Sequence, residues 1–505
     1  MLSNILLGFQ NVFQPINIII CIGGLFIGTI FGALPGFSAT MAVALMVPFS
    51  YVMDSASALL LLSGVYCGGV YGGSISAILL GIPGTPASAP TAFEGKAFTK
   101  RGESGRALSI CTFASAIGGF LSSVALLVCA PLLAKFAVKF SSPEQMLLAV
   151  FGISVVCILS KGNMIKGFIV AFLALLIGTM GQDPITGFPR FTFGNQYLIS
   201  GVSVVPVLIG LFSLPEVFLM MEETVRKSAD RTVSKLSKMG IDRSFFTLRN
   251  IFNYIRSSLI GIAIGIIPAA GPDIAAFLSY NEAKKASKNP EEFGKGCEEG
   301  IIASEAANNA VTGGSLIPLL TLSIPGSAPA ALFLGAMIIH GLRPGPMLFV
   351  QNAVEVYTLI SGFALINILL IGVGIICCKG FSQMLRIPQP VLMTLIVVLS
   401  VIGSFAINKN IMDIYVMFFA GLVGYIMVKF DYPVSPVALA LLLGPTFESC
   451  FQLSSRMFHG NWLQLFTRPI SVVLLCMIVI SVGFPVIGDI RDRRKARKGK
   501  EAANE

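Results

Sequence analysis

Long apolar runs constrain this chain more than any other feature. Ala107–Ala134, Leu198–Met221, Val354–Cys378, Val391–Ile407 and Ile470–Ile487 have the length that carries a helix across a bilayer, roughly 17–25 residues. Lipid offers no partners for backbone polar groups, so spanning segments must bond internally, as helices or as a closed barrel. Runs this long specify helices. Only 12% of residues are charged, against about a quarter in soluble domains. The expectation is an all-α polytopic membrane protein in contact with lipid. Met1–Gln14 holds no Lys or Arg, so the first apolar stretch, Ile16–Leu34, lacks the basic region of a secretory signal and is expected to be retained.

The net charge of +10 does not make this a nucleic-acid binder. The basic residues sit between apolar spans, where cytoplasmic loops of membrane proteins carry them. Arg226, Lys227, Arg231, Lys235, Lys238, Arg243 and Arg249 cluster centrally, and Arg491–Lys500 forms a basic tail. Both are expected in the cytoplasm. The ten cysteines lie scattered in apolar stretches without a C-x-x-C pair, as small buried hydrophobes do. His340 and His459 are the only histidines, which speaks against a histidine metal site.

The polar stretch Glu222–Asn250 divides the chain near its midpoint, and similar motifs recur on either side. G-A-L-P-G-F-S-A-T-M-A-V-A-L (Gly32–Leu45) parallels G-I-I-P-A-A-G-P-D-I-A-A-F-L (Gly265–Leu278). Gly72-Gly73-Ser74 leads to Ile82-Pro83-Gly84-Thr85, and Gly313-Gly314-Ser315 leads to Ile324-Pro325-Gly326-Ser327. The loop after the first I-P-G carries Lys96, Lys100, Arg101 and Arg106, whereas its counterpart around His340–Asn352 has only Arg343. Conversely, Tyr51–Ser57 has no basic residue, while Lys284–Gly300 has Lys284, Lys285, Lys288 and Lys295. Opposite charge placement implies two inverted repeats. Residues 1–221 form the first, 222–250 a cytoplasmic linker, 251–488 the second and 489–505 a cytoplasmic tail. Lys135 and Lys139 run against this topology. Asn17–Phe49 and Ile251–Tyr280 are then re-entrant hairpins, and Ala58–Ala92 and Ile301–His340 are spans unwound at I-P-G.

Proline deletes a backbone donor and clashes with the preceding turn. Breaks at Pro35-Gly36, Pro83-Gly84-Thr85-Pro86, Pro268 and Pro325-Gly326-Ser327 are therefore costly in lipid unless they face protein or a polar cavity. Helix packing can explain kinks, but paired breaks in both halves favour a transport site, in which half-helix N-termini meet anions and free carbonyls meet cations. The candidate substrate residues are Pro35, Gly36, Ser38, Gly84, Thr85, Ser88, Asn308, Asn309, Pro325, Gly326 and Ser327. Candidate coupling-ion residues are Thr40, Asp273, Glu305 and Thr312, with Na+ or H+ as the ion. Asp273 equally suits the first turn of a helix, where a carboxylate complements the dipole. Glu305 equally suits a position near the cytoplasmic face. Small residues over Gly64–Gly73 and Gly313–Ser315 favour close helix packing, with Tyr66 and Tyr71 as possible cavity residues. Arg343 reads as an interfacial anchor.

These motifs resemble the large membrane subunit of tripartite tricarboxylate transporters, the TctA family. The match runs through G-A-L-P-G-F-S-A-T-M-A and G-V-Y-C-G-G-V-Y-G-G-S-I-S-A-I-L-L-G-I-P-G-T-P. It continues in E-A-A-N-N-A, I-P-G-S and H-G-L-R-P-G-P, and covers essentially the whole chain. Gly81 stands where the family often has Asn, and Glu94 where it often has Asp, so the first half-site departs from the pattern. The resemblance implies citrate-like carboxylate import driven by an ion gradient, with a periplasmic solute-binding protein and a small membrane subunit. It also implies an elevator-type architecture at the bacterial inner membrane. No P-loop occurs, in keeping with the absence of ATP coupling. The alternatives are an anion channel, or a carboxylate carrier working without a binding protein. An intramembrane enzyme lacks a converging acid/base or metal set.

Overall fold

A computed structural model of the chain describes residues 2–34, 36–159, 164–226, 236–240, 242–268, 270–384 and 388–483. The first half holds α1 (Leu2–Val12), α2 (Pro15–Ala33), α3 (Ala39–Ser50), α4 (Ser55–Leu79), α5 (Ala89–Lys100), α6 (Ser104–Ala137), α7 (Ser142–Leu159), α8 (Met164–Gly178) and α9 (Val204–Arg226). The second holds α10 (Leu248–Ile266), α11 (Gly271–Ala286), α12 (Glu298–Gly314), α13 (Leu316–Leu322), α14 (Ala328–Ile339), α15 (Leu348–Gln351) and α16 (Ala353–Met384). It closes with α17 (Gln389–Asn408), α18 (Ile411–Lys429) and α19 (Ser435–Met457), then α20 (Pro469–Gly483). The one strand pair among the described residues is Gly181–Gln182 with Pro189–Arg190. Eight of the helices are long and apolar enough to cross a membrane.

Two boundaries differ from the sequence reading. The apolar run at Leu198 does not begin the α-helix: Gln196–Ser200 forms a short 3-10 helix, Gly201 turns the chain at φ +81°, and α9 starts at Val204. The central linker is also shorter than its polar composition indicates. α9 reaches Arg226 and α10 begins at Leu248, where the Thr247 side chain accepts from Asn250 N. The basic C-terminal tail lies outside the described residues.

The chain forms two compact units, Met1–Val138 with Ser203–Val428, and Lys139–Val202 with Lys429–Glu505. Each draws on both sides of the linker. In the second unit, α19 packs on α7 and α8. Buried Glu144 opens α7, accepting from Arg468 Nε at 2.6 Å and from Ser471 Oγ at 2.6 Å. In the loop after α8, Arg190 pairs with Glu448 and with Asp183. Asp183 is held below the usual carboxylate range, chiefly by the backbone N–H of Thr186 and then by the Gln452 amide.

The first unit is built around a glycine seam. Gly24, Gly28 and Gly32 on α2 recur every fourth residue, as do Gly64, Gly68 and Gly72 on α4. Each set lies on the other helix's backbone: a Cβ at Gly28 would enter the Val65 carbonyl, and one at Gly68 the Leu25 carbonyl. Small residues at this spacing let helices approach closely where hydrophobicity cannot drive them together. The second half repeats the arrangement with α10 on α12, where a Cβ at Gly261 would meet the Ala307 carbonyl. The long helix of each half then crosses over: α6 packs on α10 and α12, while α16 packs on α2 and α4.

This seam is testable by thermal unfolding of detergent-solubilised protein. Gly28→Val is expected to cost on the order of 2 kcal/mol through overpacking. Gly23 has no neighbouring atom at its Cβ position, so Gly23→Ala is expected to gain up to about 1 kcal/mol from helix propensity.

Candidate functional site

The two broken segments are held open by equivalent hydrogen bonds. In the first half, α4 ends at Leu79 and the chain unwinds through Pro83-Gly84 before α5. Gly84 N donates to Gly73 O at 3.1 Å. In the second half, α13 ends at Ser323, which adopts φ +61°, and Ile324–Gly326 leads extended into α14. Gly326 N donates to Ser315 O at 3.3 Å. Gly84 also lies under the Gly32 carbonyl and Gly326 under the Gly265 carbonyl, so each break is seated on the hairpin helix of its own half. The hairpins in turn reach across. α3 packs on α14, and α11 packs on the turn Pro86–Ser88 and on α5.

At the hairpin tips, Gly36 takes φ +91° and Gly271 takes φ +69°, a region that glycine enters at little cost. Ser38 accepts from Met41 N at 3.1 Å and so caps α3. Thr40 lies half-buried one turn into that helix, and Asp273 half-buried in the first turn of α11. Pro35 lies outside the described residues.

The second break is closed by hydroxyls. Tyr66 OH, wholly buried on α4, lies 2.7 Å from Ser327 Oγ and 3.1 Å from Ser315 Oγ. Ser327 Oγ accepts from Ala330 N at 3.3 Å, capping α14, while Pro325 and Gly326 are buried beside it. Sequence reasoning names Tyr66 as a possible cavity residue but does not single it out as the partner of this break. Tyr71 is likewise buried and bonded, to Thr112 Oγ1 at 2.7 Å and Cys378 Sγ at 3.3 Å.

The first break is not closed in this way. Ser88 Oγ donates to Thr85 O at 2.8 Å, but Thr85 Oγ1, though buried, has no hydrogen-bond partner. On α12, Asn308 and Asn309 are wholly buried, and both polar atoms of each carboxamide lack a partner. Leaving such groups unsatisfied costs about 1–3 kcal/mol each. Thr312, by contrast, spends its hydroxyl on Asn309 O at 2.6 Å. The equivalent pairs Gly28–Val65 and Gly261–Ala307, and Gly84–Gly73 and Gly326–Ser315, set the correspondence between the halves. In that register Asn308 occupies the position of Tyr66, and Thr85 that of Ser327. A shorter amide replaces the phenol, and its polar atoms and the break's hydroxyl are left unmatched.

Two carboxylates lie deeper. Glu94 on α5 accepts from Tyr280 OH at 2.6 Å and from Gly294, Gly296 and Cys297 N at 2.6–2.8 Å, tying the first half to the loop before α12. Glu305 on α12 is wholly buried and takes hydroxyl donors from α4, α5 and α6. Gly81 adopts φ +68° with the Lys96 side chain beside it. Tyr66→Phe is expected to cost about 1 kcal/mol, the net worth of a buried hydrogen bond, read by thermal unfolding.

Comparison with known proteins agrees with this architecture. The tripartite tricarboxylate transporter TctA family matches residues 18–439. An uncharacterized 52.8 kDa protein from the TAR-I ttuC' 3' region of Agrobacterium vitis is 35% identical over 495 residues, covering 98% of each chain. A second, from the TAR-II ttuC' 3' region of the same organism, is 34% identical over 234 residues, covering 46% of this chain and 97% of the relative. No solved structure matches. The chain is a multi-pass membrane protein and belongs to the tripartite tricarboxylate transporter TctA family.

Proposed function

We propose that the chain is the large subunit of a secondary importer of citrate-like di- and tricarboxylates. It sits in the bacterial inner membrane, receives substrate from a periplasmic solute-binding protein, works with a small membrane subunit, and draws on an ion gradient. The observation that carries this reading is a set of buried, unmatched polar groups: Thr85 Oγ1 at the first break and the carboxamides of Asn308 and Asn309 on α12. Carboxamide N–H groups donate to carboxylate oxygens, and the substrate's hydroxyls can meet the carboxamide oxygens. Gly84 and Gly326 bring backbone close to the same region, as discontinuous helices do in transporters.

The reading extends to inverted repeats. It is supported by the equivalent glycine contacts, the equivalent hydrogen bonds across both breaks and the reciprocal packing of α6 and α16. Loop charge supports opposite orientations with the central linker and C-terminus in the cytoplasm. An elevator-type movement then carries the site across the membrane.

The test is uptake by vesicles holding the chain, its small subunit and loaded binding protein. Gradient-dependent, saturable accumulation of at least one carboxylate in a citrate-like panel is expected. Asn308→Leu and Asn309→Leu are each expected to raise the half-saturating concentration about tenfold, equivalent to about 1.4 kcal/mol of lost binding. Absence of uptake across the panel overturns the reading, and unsaturable uptake indifferent to ion gradients reassigns the chain as a channel.

A further inference from the structure

Glu305 differs in kind from the other buried carboxylates. Its Oε1 accepts from Ser74 Oγ at 2.5 Å and from Thr91 Oγ1, and its Oε2 from Ser115 Oγ at 3.0 Å. Among the described residues no Lys, Arg or His forms an ion pair with it. Glu144 has Arg468. Glu94 has three backbone N–H donors, which cannot reverse and serve only an accepting oxygen. The donors to Glu305 are three hydroxyls and the Cys111 thiol, and a hydroxyl or thiol donates to a carboxylate and can turn to accept from a carboxylic acid. This cage satisfies the side chain with or without a proton. An unpaired charge at this depth is costly, so a surrounding that accommodates the neutral form is significant.

Position links the carboxyl to the proposed substrate site. Asn308 and Asn309 follow Glu305 by three and four residues on α12, one helical turn away and about 5–6 Å between Cβ atoms. At that range in a poorly screened interior, an ionised Glu305 repels an anionic substrate. A protonated one does not.

The other ionisable groups around it are accounted for. On α6 the Cys111 thiol faces Glu305. On α4, Tyr71 is bonded to Thr112 and Cys378, and on α5, Glu94 is bonded to the loop at Gly294–Cys297. On α10, Arg256 donates to Asn253 Oδ1 at 2.7 Å. On α11, Tyr280 bonds Glu94. None supplies a compensating cation.

Resting on the carboxylate-import reading, we propose that Glu305 is the proton-coupling group. A proton from the outer side adds to one carboxylate oxygen and takes the side chain from −1 to neutral. One caging hydroxyl turns from donor to acceptor, and the anion then loads at Asn308 and Asn309. On the inner side the anion leaves, the proton returns to water and the hydroxyl turns back. Thr91 Oγ1 lies 2.8 Å from Ser304 Oγ, which extends the hydroxyl chain one link beyond the cage.

The experiment uses the complete system in vesicles, with pH and sodium gradients imposed separately and an internal pH dye. Wild type is expected to accumulate labelled carboxylate under an acid-outside gradient without sodium, acidifying the lumen as it does so. Glu305→Gln keeps the size and the hydroxyl bonds, and is expected to pass substrate downhill with no response to the pH gradient. Accumulation by Glu305→Gln under a pH gradient overturns the proposal, as does wild-type uptake driven by sodium and indifferent to pH. Transport of no carboxylate by wild type overturns the import reading itself, and this inference with it. If Glu305→Gln does not fold, Ser115→Ala is the second probe. Loss of a donor to the charged form is expected to move the pH midpoint of uptake upward, and an unmoved midpoint overturns the proposal.

Discussion

Everything in the first unit depends on how closely α2 approaches α4 and α10 approaches α12. In lipid, helix association gains little from hydrophobicity, so contact must come from packing and from backbone proximity. The glycine seam provides it: carbonyls of one helix lie where side chains would stand on the other. The same closeness makes the breaks tolerable. Gly84 and Gly326 sit under the Gly32 and Gly265 carbonyls and are themselves buried, so the break points face protein, the condition for irregular backbone at membrane depth.

Much of this was legible in the sequence because its causes are local. Proline and glycine report backbone breaks directly, and helices end at Ala33, Leu79, Ile266 and Leu322 beside those residues. Glycines at every fourth position report a packing face, and the α2–α4 seam realises it. Helix ends were less legible. Apolar composition at Leu198 does not reveal that Gly201 turns the chain first, and polar composition over Glu222–Asn250 does not reveal helix at both ends.

What sequence could not supply was pairing between the halves. Glu94 and Glu305 look alike as isolated acids in apolar surroundings, and nothing adjacent to either names its partners. Their partners lie about 200 residues or more away, at Gly294–Cys297 for one and at Ser74, Thr91 and Ser115 for the other. Backbone donors make the first a tie between halves, and hydroxyls make the second a reversible cage. Tyr66 is a cavity candidate in the sequence, but its partners are hidden for the same reason. Its role is set by Ser315 and Ser327, residues that sequence spacing does not connect to α4.

The two half-sites are therefore related but unequal, and the inequality has a physical origin. Where the second break is closed by a phenol reaching Ser327, the corresponding position on α12 is an amide, shorter and with both atoms unmatched. Gly81, at φ +68°, adds to this asymmetry by presenting no side chain near the first break. A site formed from two equivalent breaks would offer an anion the same donors twice. Here the second half-site is bonded within the protein and rigid, and the first retains the free hydrogen-bonding capacity. One turn along α12 from the unmatched carboxamides lies Glu305, the group we propose to couple charge to them. The two breaks share their backbone hydrogen bond and glycine contact, and differ in which hydroxyls and amides are matched.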